Sequence, residues 1–179
     1  VFADENNPWT TREENGQLVF DQIQYVIDTL KELKINPNHK NGRRMIVVAW
    51  NPGNATISKL PPCHYTFAFN VLGNKLNCHL TQRSGDIALG IPFNLACYSL
   101  LTMMLAKECG YEVGEFSHTI IDAHIYENHI EGLKEQLTRK PLKLPKIKIA
   151  DKPFNELTFD DIKLEDYESY PLIKFEVAV

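Results

Sequence analysis

The sequence predicts an α+β fold in which a mixed, largely antiparallel sheet packs against a central buried helix. Three observations carry that expectation. Two alternating segments, Tyr65/Phe67/Phe69/Val71 and Leu76/Cys78/Leu80, flank Gly73-Asn74 and read as an antiparallel hairpin. The run over 92–109 is apolar on nearly every face and stops at Gly110, the pattern of a helix buried in the middle of a domain. Helical and strand segments then alternate without a regular βαβ rhythm, which favours α+β over a doubly wound parallel sheet.

The remaining elements follow in chain order. Residues 1–16 are polar and acidic, with turn signals at Asn6-Asn7-Pro8 and Glu13-Glu14-Asn15-Gly16, and are expected to be a poorly ordered leading segment carrying little of the core. Residues 17–179 are expected to form one domain. Val19, Ile23, Val26, Ile27, Leu30 and Leu33 recur at helical spacing, and Pro37-Asn38 lies just beyond, so 18–33 predicts an amphipathic helix. Met45-Ile46-Val47-Val48-Ala49-Trp50 predicts a buried strand, broken by Asn51-Pro52-Gly53-Asn54. Cys63 sits where the following loop enters the hairpin. Beyond the central helix, 116–121 predicts a strand, 127–138 a more polar helix and 146–149 a short strand.

Bulk properties narrow the function classes. With 179 residues, 44% hydrophobic and 23% charged, the composition is that of a globular domain with an ample core. A net charge of −4 and a pI near 5.9 exclude nonspecific attraction to nucleic acid or anionic membrane, so any phosphate must be held by locally placed arginines. Cys63, Cys78, Cys97 and Cys109 form no C-x-x-C pair, and the first residues lack the layout of a signal peptide, so reduced thiols in the cytoplasm are expected. The richest apolar run, 95–106, is interrupted by Tyr98, Ser99 and Thr102, and no membrane span is expected.

Four motifs bear chemistry. In Pro61-Pro62-Cys63-His64, two prolines stiffen the backbone and present a thiol at a fixed loop-to-strand junction. Most cysteines are small buried hydrophobes, and that packing reading suffices for Cys78, Cys97 and Cys109. A nucleophilic thiolate calls for a nearby cation, and Arg83 supplies one if the hairpin folds back. In Gln82-Arg83-Ser84-Gly85-Asp86 a forked guanidinium neighbours a hydroxyl, a pairing suited to phosphate oxygens. Tandem Arg43-Arg44 raises the same question, with a solvated strand edge as the plain alternative. In Pro92-Phe93-Asn94 the carboxamide offers a donor and an acceptor, matching uracil O4 and N3–H, although Asn94 equally suits a helix N-cap. His124 and Tyr126, in Asp122-Ala123-His124-Ile125-Tyr126, alternate along an extended segment and point to one face, to share a ligand hydroxyl or to form a structural pair. Their spacing with His129 fits no common zinc pattern, so no metal is expected.

In this order the motifs closely resemble the thymidylate synthase family, from about Gln22 to Val179. The resemblance implies folate-dependent methylation of deoxyuridylate (dUMP) to thymidylate (dTMP). Cys63 would be the nucleophile; Arg83 and Ser84, with Arg43 and Arg44 of a second subunit, would hold the phosphate. Asn94 would read the uracil, with aspartate at that position in family members acting on cytosine nucleotides. His124 and Tyr126 would bind the 3′-hydroxyl, and His64 and Gln82 would play supporting parts. Asp86 would face both substrate and the pterin of 5,10-methylenetetrahydrofolate, with Gly90, Phe93 and Val179 near the folate. Phe175 to Val179 resemble the family's ligand-covering C-terminal tail, so the chain is expected to end at its natural terminus. A homodimer is implied. The family's N-terminal region, with its acid/base glutamate and folate-shielding tryptophans, finds no match before Gln22, and Ile120-Ile121 stand where small glycines are common. Two other readings stay open: a deoxypyrimidine hydroxymethylase of the same family, in which water captures the intermediate, and a noncatalytic nucleotide-binding or dimerising fragment.

Overall fold

The computed structural model describes residues 6–12 and 16–177. The predicted α+β class is observed: among the described residues three α-helices accompany three sheets, the largest being four-stranded. It comprises β3 (Ile46–Val48), β4 (His64–Leu72), β5 (Lys75–Asp86) and β6 (Glu112–His124), in spatial order β3-β4-β5-β6. β1 (Thr10–Arg12) and β2 (Leu18–Phe20) form a small hairpin before the sheet, and β7 (Lys146–Ile149) pairs with β8 (Ile162–Glu165) after it. β3, β4 and β5 are antiparallel neighbours, whereas β5 and β6 run parallel and are linked by α2 (Gly90–Cys109). The β4–β5 turn is the predicted one: Gly73 has φ 62°, the left-handed conformation that a two-residue hairpin turn demands.

α1 (Gln22–Ile35) and α2 cover one face of the sheet, and the core forms there. Val26, Ile27 and Leu30 of α1 meet Met45, Val47, Phe69, Leu76 and Cys78 from the sheet side and Leu105, Ala106 and Cys109 of α2. Burial of this apolar set is the main stabilising term. Tyr111 donates its hydroxyl hydrogen to the Leu30 carbonyl at 2.9 Å, and Lys31 Nζ pairs with Glu108 at 2.6 Å, so α1 is also tied to the C-terminal end of α2.

Several expectations require correction. The predicted helix over 18–33 begins later, because the Asp21 side chain accepts the Gln24 amide and caps the first turn, leaving Leu18–Phe20 to pair with β1. Within the leading stretch, Thr10–Arg12 form that strand and Trp9 packs edge-on against Tyr25 at 4.8 Å, its indole donating to Asp28 at 2.8 Å. β3 is an edge strand rather than a buried one: only Val47 faces the core, while Ile46 and Val48 alternate outward. α2 is buried on its sheet-facing side through Ile91, Tyr98, Thr102, Leu105 and Cys109, but Phe93, Leu95, Ala96 and Cys97 are exposed on the opposite side. An all-apolar sequence therefore does not mean burial all round, and packing does not account for Cys97.

The largest difference lies in strand length. β5 continues through Gln82–Asp86 and β6 extends to His124, well past the apolar stretches that predict them. In their parallel register Ser84 lies opposite Asp122 and Asp86 opposite His124. The polar motifs are carried to one end of the sheet by strands whose apolar halves anchor them.

α3 (Ile130–Thr138), preceded by a 3-10 turn Glu127–His129, receives the C-terminal segment. Phe175 packs on the His129 ring at 5.2 Å, and the Glu176 carbonyl accepts from Asn128 Nδ2 at 3.0 Å and His129 Nε2 at 2.7 Å. Among the described residues no helix is long and apolar enough to cross a membrane.

Candidate active site

Three pieces of backbone converge where β4 begins and β5 and β6 end: the Pro61–Cys63 loop, the strand ends and the first turn of α2. Arg83 fastens the loop. Its amide donates to the Cys63 carbonyl at 2.8 Å, Nε to the Pro62 carbonyl at 3.1 Å and Nη2 to the Pro61 carbonyl at 2.7 Å. Prolines supply no amide donors, so their carbonyls are open to the guanidinium. This grip leaves Nη2 3.6 Å from the half-buried Cys63 Sγ. The Nη1 donors make no hydrogen bond with the loop and remain available for an anion.

The four thiols are all free but differ in setting. Burial pushes the Cys78 thiol up to about 11 and the Cys109 thiol up to about 12. Both are buried in the core, as the packing reading expects, with Cys109 Sγ donating to the Ile27 carbonyl at 3.8 Å, whereas Cys63 has an arginine beside its sulfur. His64 turns the other way, with Nδ1 2.6 Å from the Tyr98 hydroxyl on α2.

On the α2 side of β5, Gln82 is almost fully buried. Its Nε2 donates to the Ser84 carbonyl at 2.9 Å and to Asn94 Oδ1 at 3.0 Å, while Oε1 lies 2.9 Å from His118 Nε2 on β6. Asn94 is therefore not the helix cap: α2 begins at Gly90 after Leu89, and the Asn94 carboxamide is bonded across to the sheet. Alternation along β5 starts Ser84 on this face and Arg83 on the other. Asp86 Oδ1 accepts the Ala88 amide at 2.9 Å and lies 3.7 Å from Nδ1 of the fully buried His129. Gly90 adjoins both Asp86 and Asn94, and Phe93, 71% exposed, projects from the same turn of α2. The His124 and Tyr126 rings meet edge-to-face at 5.1 Å, and Tyr126 in turn meets His129 at 5.6 Å.

Arg43 and Arg44 are elsewhere. Ile46 pairs with Ala68, so Arg44 lies level with Asn70, seven residues along β4 from Cys63. At the rise of a strand that separation is about 20 Å. Both arginines are exposed, Arg43 beside the Gly73-Asn74 turn. Val179 lies outside the described residues. A cavity of about 730 Å³ lies between α3 and the C-terminal segment, away from Cys63, Arg83, Asn94 and His124, whereas a groove of about 620 Å³ runs past Trp50, Tyr65, Arg83 and Ile121. Among the described residues no group of three or more His, Cys, Asp or Glu side chains is arranged to hold a metal.

Sequence reasoning missed three participants: Tyr98, His118 and His129. Tyr98 is hidden in an apolar helix. His118 and His129 lie within polar stretches, and only the long-range pairing of β6 with β5 and the docking of the C-terminal segment place them. The strand-period spacing of His118 from His124 was the one available signal.

A family model described as thymidylate synthase matches residues 5–179. The thymidylate synthase of Haloferax volcanii is 40% identical over 228 aligned residues, covering 99% of this chain and 64% of the relative. That alignment is longer than the chain, so it includes stretches of the relative with no counterpart here. The thymidylate synthase of Listeria monocytogenes serotype 4a (strain HCC23) is 52% identical over 159 residues, covering 88% of this chain and 50% of the relative. That of Mycoplasma pneumoniae is 52% identical over 160 residues, covering 89% and 54%. The chain thus spans about half to just under two thirds of the length of these relatives. With the Cys63 loop, the Asn94 carboxamide and the His124/Tyr126 pair gathered at one sheet end, and a family match over nearly its whole length, the chain belongs to the thymidylate synthase family.

Proposed function

We propose that residues 17–179 form the catalytic domain of a folate-dependent enzyme that methylates dUMP to dTMP. The observation that carries this reading is the Arg83 guanidinium 3.6 Å from Cys63 Sγ, at the same sheet end as Asn94, Asp86 and His124. Cys63 Sγ adds to C6 of the uracil, and the displaced electron pair makes an enolate with carbon-nucleophile character at C5. Asn94 orients the base, and Arg83 and Ser84, from the two faces of the β5 end, hold the phosphate. His124 and Tyr126 take the 3′-hydroxyl. Gln82 and His64 act from behind, through Asn94 and Tyr98 respectively. Elimination of Sγ restores the pyrimidine ring after the C5 proton has left.

The residues present suit a folate as co-substrate. Asp86 uses Oδ1 internally and keeps Oδ2 for a ring N–H, and the exposed Phe93 beside Gly90 offers a flat apolar surface to a pterin. When bound, 5,10-methylenetetrahydrofolate supplies the one-carbon unit and the hydride. Val179 is assigned to the tail that shields these ligands from water.

Arg43 and Arg44 are too distant from Cys63 to serve its site, which favours a homodimer in which each chain lends these arginines to its partner's phosphate. The outer face of the sheet, with Ile46, Val48 and Ile121 exposed, gives a second copy apolar surface to cover. Four free thiols favour the cytoplasm as compartment.

Incubating the complete protein with dUMP and 5,10-methylenetetrahydrofolate, and weighing the nucleotide product, tests the proposal. Thymidylate with growth of dihydrofolate absorbance is expected. A hydroxymethyl nucleotide without dihydrofolate assigns the hydroxymethylase reaction instead, and absence of any folate-dependent product contradicts the enzyme reading.

A further inference from the structure

We infer that His118, four positions before Asp122 on β6, secures the orientation in which the Asn94 carboxamide faces the nucleotide and is thereby a positioning residue for base selection. The inference rests on the proposed binding of a pyrimidine nucleotide beside Cys63, and it assigns the discrimination between uracil and cytosine to a chain of three side chains.

The polarity of that chain is fixed by a group that has no choice. The Ser84 carbonyl can only accept, so the Gln82 atom 2.9 Å from it must be the amide nitrogen. The same Nε2 sends its second hydrogen to Asn94, 3.0 Å away, so the Asn94 atom facing it must be Oδ1. Gln82 Oε1 is thereby turned to His118 Nε2 at 2.9 Å, and that nitrogen must carry the hydrogen. Reversing the Gln82 amide would set its oxygen against two acceptors. Gln82 is 3% exposed, so water does not replace a missing partner, and an unpaired oxygen there is costly. Burial, with the neighbouring His79, holds the His118 ring below the usual imidazole range, which keeps it neutral and leaves it a single N–H to place.

With Oδ1 committed to Gln82, Asn94 turns Nδ2 to the open side. A donor there meets O4 of uracil and opposes the exocyclic amino group of cytosine. His118 touches neither nucleotide nor thiol. It acts by occupying Gln82 Oε1: without that donor the buried oxygen is left unpaired, and the amide orientation that the Ser84 carbonyl selects is held less firmly against its alternatives.

The test is affinity for deoxyuridylate and deoxycytidylate, measured by calorimetry with the complete protein and two variants. Wild type is expected to prefer deoxyuridylate. His118→Phe keeps the ring volume but removes the donor, and the preference is expected to fall by about tenfold. His118→Gln can present an amide N–H to Gln82 and is expected to restore most of it, which a purely structural loss would not allow. Should wild type discriminate and folded His118→Phe discriminate equally well, the inference is overturned while the nucleotide site stands. If wild type binds neither nucleotide, or both alike, the site reading itself falls and the inference with it. Nitrogen chemical shifts of His118 in the wild-type protein give a check independent of variant folding: an Nε2–H tautomer is expected, and an Nδ1–H tautomer overturns the inference.

Discussion

The two ends of the four-stranded sheet are built on opposite plans. At the end where β4 begins and β5 and β6 finish, polar side chains are held by hydrogen bonds within the chain: Arg83 donates to the proline carbonyls, Gln82 bonds to Asn94 and His118, and Asp86 accepts from the Ala88 amide. At the hairpin end, Lys34 lies 3.9 Å above the Tyr111 ring and donates to Asn74 at 2.6 Å, while Arg43 and Arg44 stay exposed. The first end is preorganised, its side chains held before any ligand arrives, which is what a chemical step requires. The second offers cations outward, as a surface does when its ligand belongs to another molecule. On the proposed reading, one chain divides a nucleotide site into a fixed part and a part lent to its partner.

The strongest way to break that contrast is to separate the two ends onto different chains. Cys63→Ser and Arg44→Ala, each weak or inactive alone, are expected to regain turnover when unfolded and refolded together, because a mixed dimer has one site with an intact thiol and an intact lent arginine. No recovery on mixing would place both ends in the same site and undo the division.

Alkylation sharpens the account of the first end. At pH 8, iodoacetamide is expected to label Cys63 and the exposed Cys97, with Cys78 and Cys109 slower by on the order of 100-fold, since burial pushes those thiols to about 11 and about 12. Peptide mass mapping over time reads the order, and Cys63 lagging with the buried pair would contradict its placement.

At the hairpin end, Gly73→Ala puts a Cβ on a residue with φ 62° and is expected to cost about 1 kcal/mol in urea unfolding. Nucleotide affinity should stay unchanged, since the turn lies far from Cys63. A loss of affinity matching the loss of stability would show the ends to be coupled.

The smallest effect lies between α1 and α2. The hydrogen bond from Lys31 holds the Glu108 carboxyl below its usual range, against the opposing pull of burial. A carboxylate with a depressed folded value stabilises fully above its unfolded value near 4.5, and the stabilisation is lost as pH falls through the folded value. Lys31 is half exposed and screened by water, so Glu108→Gln is expected to remove no more than about 1 kcal/mol at pH 7, and less at pH 3. Urea midpoints at the two pH values measure it.

How far the sequence discloses this arrangement depends on what each residue signals locally. The β4–β5 hairpin is legible because apolar residues alternate at period two on both sides of a turn-forming Gly73-Asn74. The polar ends of β5 and β6 are not, because Gln82–Asp86 and Asp122–His124 carry no apolar alternation, and Gln82 and Arg83 are satisfied by partners 12 to 36 positions away. Hydrophobic periodicity has no means of registering a buried glutamine held by a histidine on a parallel neighbour. The same limit explains α2: composition tells that Leu95, Ala96 and Cys97 are apolar, not whether anything in the chain covers them. The pairing of Cys63 with Arg83 is legible from chemistry alone, since a thiolate calls for a cation, and the Pro61 and Pro62 carbonyls are what draw that cation in. Asn94 fitted a cap equally well on sequence, and only the start of α2 four residues earlier removes that alternative.

The central claim is that Cys63 Sγ adds to C6 of a uracil nucleotide held at this sheet end. Addition makes C5 basic, so reversal in heavy water must exchange the C5 hydrogen even when no folate is present, and proton NMR of deoxyuridylate with the complete protein reads that exchange directly. Loss of the C5–H signal with wild type and none with Cys63→Ser is the predicted result; equal exchange with both proteins, or none with wild type, would contradict the account.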